Sequence, residues 1–232
     1  MIGRILLAAV AAGLIAGAFV SGAQMLKVVP LIYAAEAYEA PAPGAETHSH
    51  DNATADHSHD HGAAYMPDDG FERIGLTALT NIVLGAGFAL LIAAGMTLRG
   101  RATNWRLGLI WGAAGFLSFS FLPALGLPPE LPGMAAADLT GRQLWWVMTV
   151  AASAGGLALI AFSPNWPLRF LGAAMLSIPH LVGAPHPHEF SGGVPAELAA
   201  QFVATSLVTA GLFWLLLGAL TGHFIGRGLQ QD

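Results

Sequence analysis

The sequence predicts an all-α membrane protein, a polytopic bundle of six transmembrane helices, or five, with a long His/Asp-rich external loop. Hydrophobic residues make up 55% of the 232 residues and charged residues only 10%, whereas soluble domains average about 25% charged residues. Apolar runs near the roughly 20 residues that cross a bilayer as a helix alternate with single charges. One acidic, histidine-rich segment separates the first run from the others.

Six apolar stretches between charges are the candidate spans. The fifth is the weakest, because it has only 17 residues and contains Pro179 and His180; if it does not cross, it is a broken or re-entrant helix. The predicted organisation is a first transmembrane helix over residues 1–26, a loop over 27–73 and a five-helix region over 74–232. The spans are Ile5–Met25, Ile74–Leu98, Leu107–Leu125, Leu144–Phe162, Leu168–Ala184 and Leu198–Ile225.

The first span has a second interpretation as a cleaved signal peptide. Arg4 supplies a positively charged start, Ile5–Val20 an apolar stretch and residues 21–23 a cleavage site of small residues. In either case the following segment lies outside, so the predicted orientation of the remaining spans is the same.

The positions of Lys and Arg predict this orientation, since positively charged residues are retained on the cytoplasmic side. With the N-terminus inside, six arginines are cytoplasmic and three basic residues are external. Both termini are therefore predicted to be cytoplasmic. The cytoplasmic residues are Arg4, Arg99, Arg101, Arg106, Arg169 and Arg227, and the external ones are Lys27, Arg73 and Arg142.

Two ridges of small residues indicate where helices approach each other closely. Ala9, Gly13, Gly17 and Ser21 recur every four residues in the first span, and Gly218, Gly222 and Gly226 do so in the last. The alternative is that glycine and alanine are simply common in membrane helices.

Several function classes are excluded or disfavoured. The net charge is −5 and the nine Lys and Arg residues are dispersed, so the chain has no basic face for nucleic acid. It has no cysteine, which excludes disulfides and thiolate metal sites. No phosphate-binding loop, Gly-x-Ser-x-Gly or His-Glu-x-x-His motif occurs. We therefore expect no enzyme and no permanently bound cofactor.

The loop Lys27–Arg73 carries nine acidic and two basic residues, a local charge of −7. Its middle has too few apolar residues to build a core, so we expect it to be largely disordered. Neutral imidazoles bind cobalt, nickel and zinc, and alternating histidines in a pliant chain can place two or three on one ion. The sequence predicts metal capture here, with a plain solvated acidic linker as the alternative. The five histidines are His48, His50, His57, His59 and His61.

Polar side chains gather in the external halves of the spans. Two stripes have a spacing of four residues, Arg73-Thr77-Asn81-Gly85 and Glu197-Gln201-Thr205-Thr209. Because polar groups in lipid usually face a bundle interior or a wet cavity, we expect Asn81, Gln201, Thr205 and Glu197 to line a translocation path that begins in an external vestibule. In the alternative, serine and threonine bond their own helix and amides join helices.

Further candidate metal ligands lie near the same face. His180 is the imidazole deepest in the external half of a span, and the alternative for it is a buried, hydrogen-bonded histidine. The other ligands predicted at the mouth are His186, His188, Glu36 and Glu39; for the two glutamates the alternative is an ordinary solvated carboxylate.

The order of several sequence blocks resembles the CbtA family of predicted cobalt transporter subunits. The resemblance covers nearly the whole chain. The blocks are Val28-Val29-Pro30-Leu31-Ile32-Tyr33-Ala34-Ala35-Glu36-Ala37-Tyr38-Glu39, the His/Asp tract, Leu127-Pro128-Pro129-Glu130-Leu131-Pro132-Gly133-Met134, Gln143-Leu144-Trp145-Trp146, Pro179-His180-Leu181-Val182-Gly183-Ala184-Pro185 and Val194-Pro195-Ala196-Glu197-Leu198.

The resemblance implies a bacterial inner-membrane protein for cobalt uptake linked to cobalamin synthesis, accompanied by a small one-span subunit that also bears histidines. It marks Glu36, Glu39, Glu130, His180 and Glu197 as candidate functional residues. We therefore expect a permease or permease subunit whose substrate is a divalent metal ion, first cobalt and then nickel or zinc. The expected partners are the lipid bilayer and that small subunit. The oligomeric state is left open. The alternative is a membrane-anchored metal sensor or assembly subunit without its own translocation path.

Overall fold

The computed structural model describes residues 2–38, 70–100, 103–187 and 193–229, and these residues form helices and no strands. The elements are α1 (Ile2–Lys27), α2 (Val29–Glu36), α3 (Phe71–Leu98), α4 (Trp105–Phe116), a π-helical turn (Leu117–Phe121), α5 (Leu122–Ala124), α6 (Leu139–Phe162), α7 (Trp166–Val182) and α8 (Ala196–Leu229). The predicted all-α bundle is confirmed.

Five helices within the described ranges are long and apolar enough to cross a membrane. They are Ile2–Lys27, Phe71–Leu98, Trp105–Ala124, Leu139–Phe162 and Ala196–Arg227. The fifth predicted span, Leu168–Ala184, corresponds to α7, a 17-residue helix that ends at Gly183 with a positive φ of 86°. The chain is therefore a multi-pass membrane protein. The sequence predicts six spans, or five, and the number of full-length helices within the described ranges matches five.

Local sequence signals account for the helix ends. Asn104 accepts a hydrogen bond through its side chain from the Leu107 amide at the start of α4, and Asp138 does the same for Gly141 at the start of α6. Such side-chain acceptors satisfy amides that have no partner inside the helix. Because Asp138 caps it, α6 begins five residues before the predicted span.

The small-residue ridges lie at helix crossings, as predicted. On α1, Gly13 faces the backbone of Ala86 and Gly17 that of Ile82 in the antiparallel helix α3. On α8, Gly218 lies against Gly108 of the antiparallel helix α4. An added Cβ at any of these glycines would come within 3.0 Å of a neighbouring backbone atom, so close backbone approach explains the ridges.

The main core lies between α1, α3 and α8. Ala9, Ala12 and Ala16 of α1 are fully buried, and Met96 and Leu217 are nearly so. Helix α1 thus supplies a central part of the bundle, whereas α7 packs chiefly against α6 through the close pair Gly156 and Gly172.

A second, smaller core closes one end of the bundle. Here α2 packs with Ala35 and Val28 against Leu131, which lies in the connection between α5 and α6, and against Phe202 of α8. We call this end, where α2, the connection 125–138 and residues 183–187 lie, the loop end. It is the end that the charge distribution predicts to be external.

Candidate functional site: cavities at the loop end

Two cavities lie in the half of the bundle nearest the loop end. The larger, called the vestibule, has a volume of about 740 Å³ and the smaller, called the chamber, about 230 Å³. The vestibule is lined by residues between Phe119 and Val147 and by Ser206, Leu207 and Ala210 of α8. The chamber is lined by Val20, Gln24, Val28, Asn81, Leu84, Phe88, Ser120, Ser206, Thr209, Ala210, Phe213 and Trp214.

Several intramembrane polar side chains make the hydrogen bonds of the alternative interpretation, either between helices or to their own helix. Asn81 donates through Nδ2 to Gln24 Oε1 at 2.7 Å and to Ser21 Oγ at 3.1 Å, which joins α3 to α1 beside the chamber. Other hydroxyls bond carbonyls one turn back in their own helix; these are Ser21, Thr77, Thr149 and Ser177.

The stripe on α8 divides between the cavity and the bundle surface. Thr209 is buried and lines the chamber, whereas Thr205 is half-buried and lines neither cavity. Gln201 and Glu197 are exposed at the surface of α8. Of the four residues predicted for the translocation path, Asn81 lines one of these two cavities, and the roles of all four stay predictions.

Among the described residues, the ion pairs Glu130–Arg142 and Glu36–Arg73 lie at the loop end. Glu130 Oε2 is 2.8 Å from Arg142 Nη2, and both residues line the vestibule. Glu36 Oε1 accepts from Arg73 Nη1 at 3.3 Å, and the guanidinium of Arg73 also lies over the Tyr33 ring. Both carboxylates are thus engaged with arginine, so metal binding by either would compete with an existing ion pair.

His180 lies near the end of α7 with its Nε2 atom buried and without a hydrogen-bond partner. Its ring meets Trp145 edge-on at a centroid distance of 5.9 Å, and Trp145 Nε1 donates to the carbonyl of Pro179. A buried polar atom is normally paired. Nε2 therefore has no hydrogen-bond partner among the described residues, and the role of His180 as a metal ligand stays a prediction.

Of the remaining predicted metal ligands, the structure describes His186. His186 is exposed in the connection after α7. No group of three His, Asp or Glu residues that could hold a metal ion occurs within the ranges that the structure describes. Outside those ranges lie His188, Glu39 and the tract of His48, His50, His57, His59 and His61.

Three features of the site are not among the sequence predictions. They are the π-helical turn, Arg142 as the partner of Glu130, and the contacts of the Trp214 ring with Phe119 and Phe88. Arg142 is separated from Glu130 by a proline-containing connection, which has no periodic pattern from which to predict the pair. Trp214 stacks on Phe119 at 5.5 Å and meets Phe88 at 4.7 Å. In sequence these rings are indistinguishable from ordinary core aromatics.

Comparison with known proteins identifies a family for this architecture. No curated protein and no solved structure matches the chain. A family profile, described as probable cobalt transporter subunit (CbtA), matches residues 2–226. That match covers four of the full-length helices entirely, nearly all of α8 and both cavities, so the chain belongs to the CbtA family of probable cobalt transporter subunits.

Proposed function

We propose that the chain is a permease, or the permease subunit of a complex, for uptake of divalent transition-metal ions across a bacterial inner membrane, with cobalt as the first substrate. Family membership supports the choice of cobalt. The observation that carries the permease proposal is the pair of partly polar cavities at the loop end. An anchor for a sensor has no need of such cavities.

The His-rich segment is proposed to capture metal outside the cell. The Glu36–Arg73 ion pair brings the two residues that bracket this segment into contact at the loop end. His57 is 16 residues from Arg73, and a chain of that length reaches at most about 55 Å. The tract is therefore tethered within reach of the vestibule, where it raises the local metal concentration.

Passage beyond the loop is proposed to run through the vestibule, past the Glu130–Arg142 pair. His186 and His180 would offer nitrogen ligands near that route, with Glu36, Glu39 and His188 as further ligands around the mouth. Intramembrane ionisable residues commonly mark ion pathways. The tract itself cannot select cobalt, because nitrogen and oxygen sites bind nickel and copper more tightly; selection therefore requires the path or a partner.

A membrane potential is sufficient to drive this uptake. A negative-inside potential of 100 mV contributes about 2.3 kcal/mol per charge, hence roughly 4.6 kcal/mol for a divalent ion. The proposed orientation has both termini in the cytoplasm and the His-rich loop outside. A small one-span, histidine-bearing subunit is the proposed partner, in keeping with the family's description as a subunit.

Metal capture by the loop is expected to weaken in acid. Histidine must be neutral to bind metal, and its unperturbed pKa is about 6.5, so binding should fall about tenfold per ligating histidine between pH 7.5 and 5.5. Equilibrium binding of cobalt to the purified chain at the two pH values measures this. A chain in which the five tract histidines are glutamine is the control, and equal binding of the unaltered chain at both pH values would rule out imidazole capture.

The proposal is tested by metal accumulation in cells that express the chain together with any required partner. Cobalt accumulation is expected to rise above that of cells with an empty vector, and nickel and zinc in parallel assays define the selectivity. If expression changes the accumulation of none of the three ions, the chain is not a permease for them.

A further inference from the structure

The vestibule and the chamber share a wall. Ser120, Ser206 and Ala210 each line both cavities. No side chain in this shared wall is larger than serine. The side chains that both cavities share are therefore two hydroxymethyl groups and one methyl group.

The position of Ser120 depends on the π-helical turn Leu117–Phe121. A π-turn changes the register of a helix, and such turns are frequent at functional sites. Here Ser120 Oγ accepts a hydrogen bond from Trp214 Nε1 at 3.2 Å. The Trp214 ring lies in the space left by Gly115, where an added Cβ would collide with it.

Aromatic rings close the chamber on the side away from the loop end. Trp214 and Phe213 follow Thr209 along α8, and Phe88 follows Asn81 along α3. Since both helices run away from the loop end, these three rings lie deeper than the polar lining. The chamber therefore borders the vestibule at the shared wall, and apolar rings bound it on the side away from the loop end.

The polar lining of the chamber consists of neutral groups with spare bonding capacity. Thr209 is 94% buried, and its hydroxyl makes no hydrogen bond within the described residues. The amide nitrogen of Asn81 donates hydrogen bonds to Gln24 and Ser21. No described residue donates to its Oδ1 atom. A hydroxyl that lines a cavity and has no protein partner among the described residues can bond a water molecule or the hydration shell of an ion in that space.

A hydrated divalent cation is the occupant that this lining suits. A chamber of about 230 Å³ has room for an ion with its inner waters, since one water takes up about 30 Å³ in the liquid. No charged side chain lines the chamber among the described residues. Neutral oxygens bind hydration water without holding the ion too tightly to leave, which conduction requires.

We propose that the chamber is a binding site for a hydrated divalent cation, entered from the vestibule past Ser120 and Ser206, with Thr209 and Asn81 bonding the hydration shell. This inference rests on the proposed permease function and adds a specific intermediate site to it. It assigns Thr209, rather than the outer members of the same α8 stripe, to the path.

Cysteine accessibility tests the site independently of transport, because the chain contains no cysteine. Ala210→Cys in the shared wall is expected to react with a small cationic thiosulfonate added from the loop side, and cobalt chloride is expected to slow the reaction. With Thr209→Val added, the same protection should require about fivefold more cobalt. Thr221→Cys is the control, since Thr221 is fully buried and lines neither cavity, and it should not react.

Transport gives the second readout. Thr209→Val should lower cobalt uptake at subsaturating concentration about fivefold, the effect of one hydrogen bond. Thr221→Val, which removes a hydroxyl bonded within α8, should transport like the wild type. An unreactive Ala210→Cys, protection at an unchanged cobalt concentration with Thr209→Val, or normal uptake by Thr209→Val would each overturn the chamber site. Absence of uptake by the wild type would instead contradict the permease function, while the labelling results still decide the chamber.

Discussion

Replacement of Gly218 by alanine is expected to destabilise the bundle by about 3 kcal/mol, the upper end of the cost of overpacking. The new Cβ would collide with the carbonyl oxygen of Gly108 and with the backbone of Gly112. Because these atoms belong to the backbone of α4, no rotation of a side chain relieves the collision. The two helices must separate, and α4 carries the π-helical turn that lines both cavities.

Gly211→Ala is the matched control on the same helix. A Cβ at Gly211 would meet only the Phe116 ring at 3.6 Å, an ordinary van der Waals contact. Thermal unfolding of the two purified variants in one detergent, followed by tryptophan fluorescence, provides the comparison. Gly211→Ala should unfold within a few degrees of the wild type, and an equally small change for Gly218→Ala would contradict the close crossing of α4 and α8.

Deletion of Glu46–His61 is expected to lower cobalt uptake about tenfold at low external cobalt and to leave the maximal rate nearly unchanged. The reason is that a tethered ligand tract raises the metal concentration at the vestibule, which matters only while the sites in the path are unsaturated. Uptake measured over a range of cobalt concentrations separates the two parameters, and the change should appear in the half-saturating concentration.

A variant of unaltered length distinguishes the contribution of the histidines to metal capture from that of the acidic residues. Changing the five tract histidines to glutamine keeps every carboxylate, so it should match the deletion if imidazoles capture the metal. An effect of the deletion alone would assign the capture to the acidic residues. Loss of all uptake at every cobalt concentration would favour the anchored sensor or assembly subunit, and no change at any concentration would remove the capture role.

The sequence predicts the helices and their crossings well because both depend on local composition. Apolar runs define α1, α3, α6 and α8, and glycines recurring every four residues locate the contacts between α1 and α3 and between α4 and α8. The polar stripe on α8 is less informative. An α-helix has 3.6 residues per turn, so residues four apart drift by about 40° each step and Glu197 lies about 120° around the helix from Thr209. This drift explains why Glu197 is exposed while Thr209 lines the chamber.

Other parts of the site depend on long-range contacts that no local pattern encodes. The Glu130–Arg142 pair and the bond from Trp214 to Ser120 join residues on different elements. The π-helical turn at Leu117–Phe121 has no breaking residue of its own, since Pro123 follows it. Such features emerge only once α4, α6 and α8 are packed together.

The most direct test of the permease proposal is cobalt uptake into proteoliposomes that contain the purified chain, with its partner if one is required, under an imposed negative-inside potential. Entry of cobalt should accelerate when the potential is applied and should fall to the rate of protein-free liposomes when it is collapsed. Cobalt entry equal to that of protein-free liposomes at every potential would contradict the proposal.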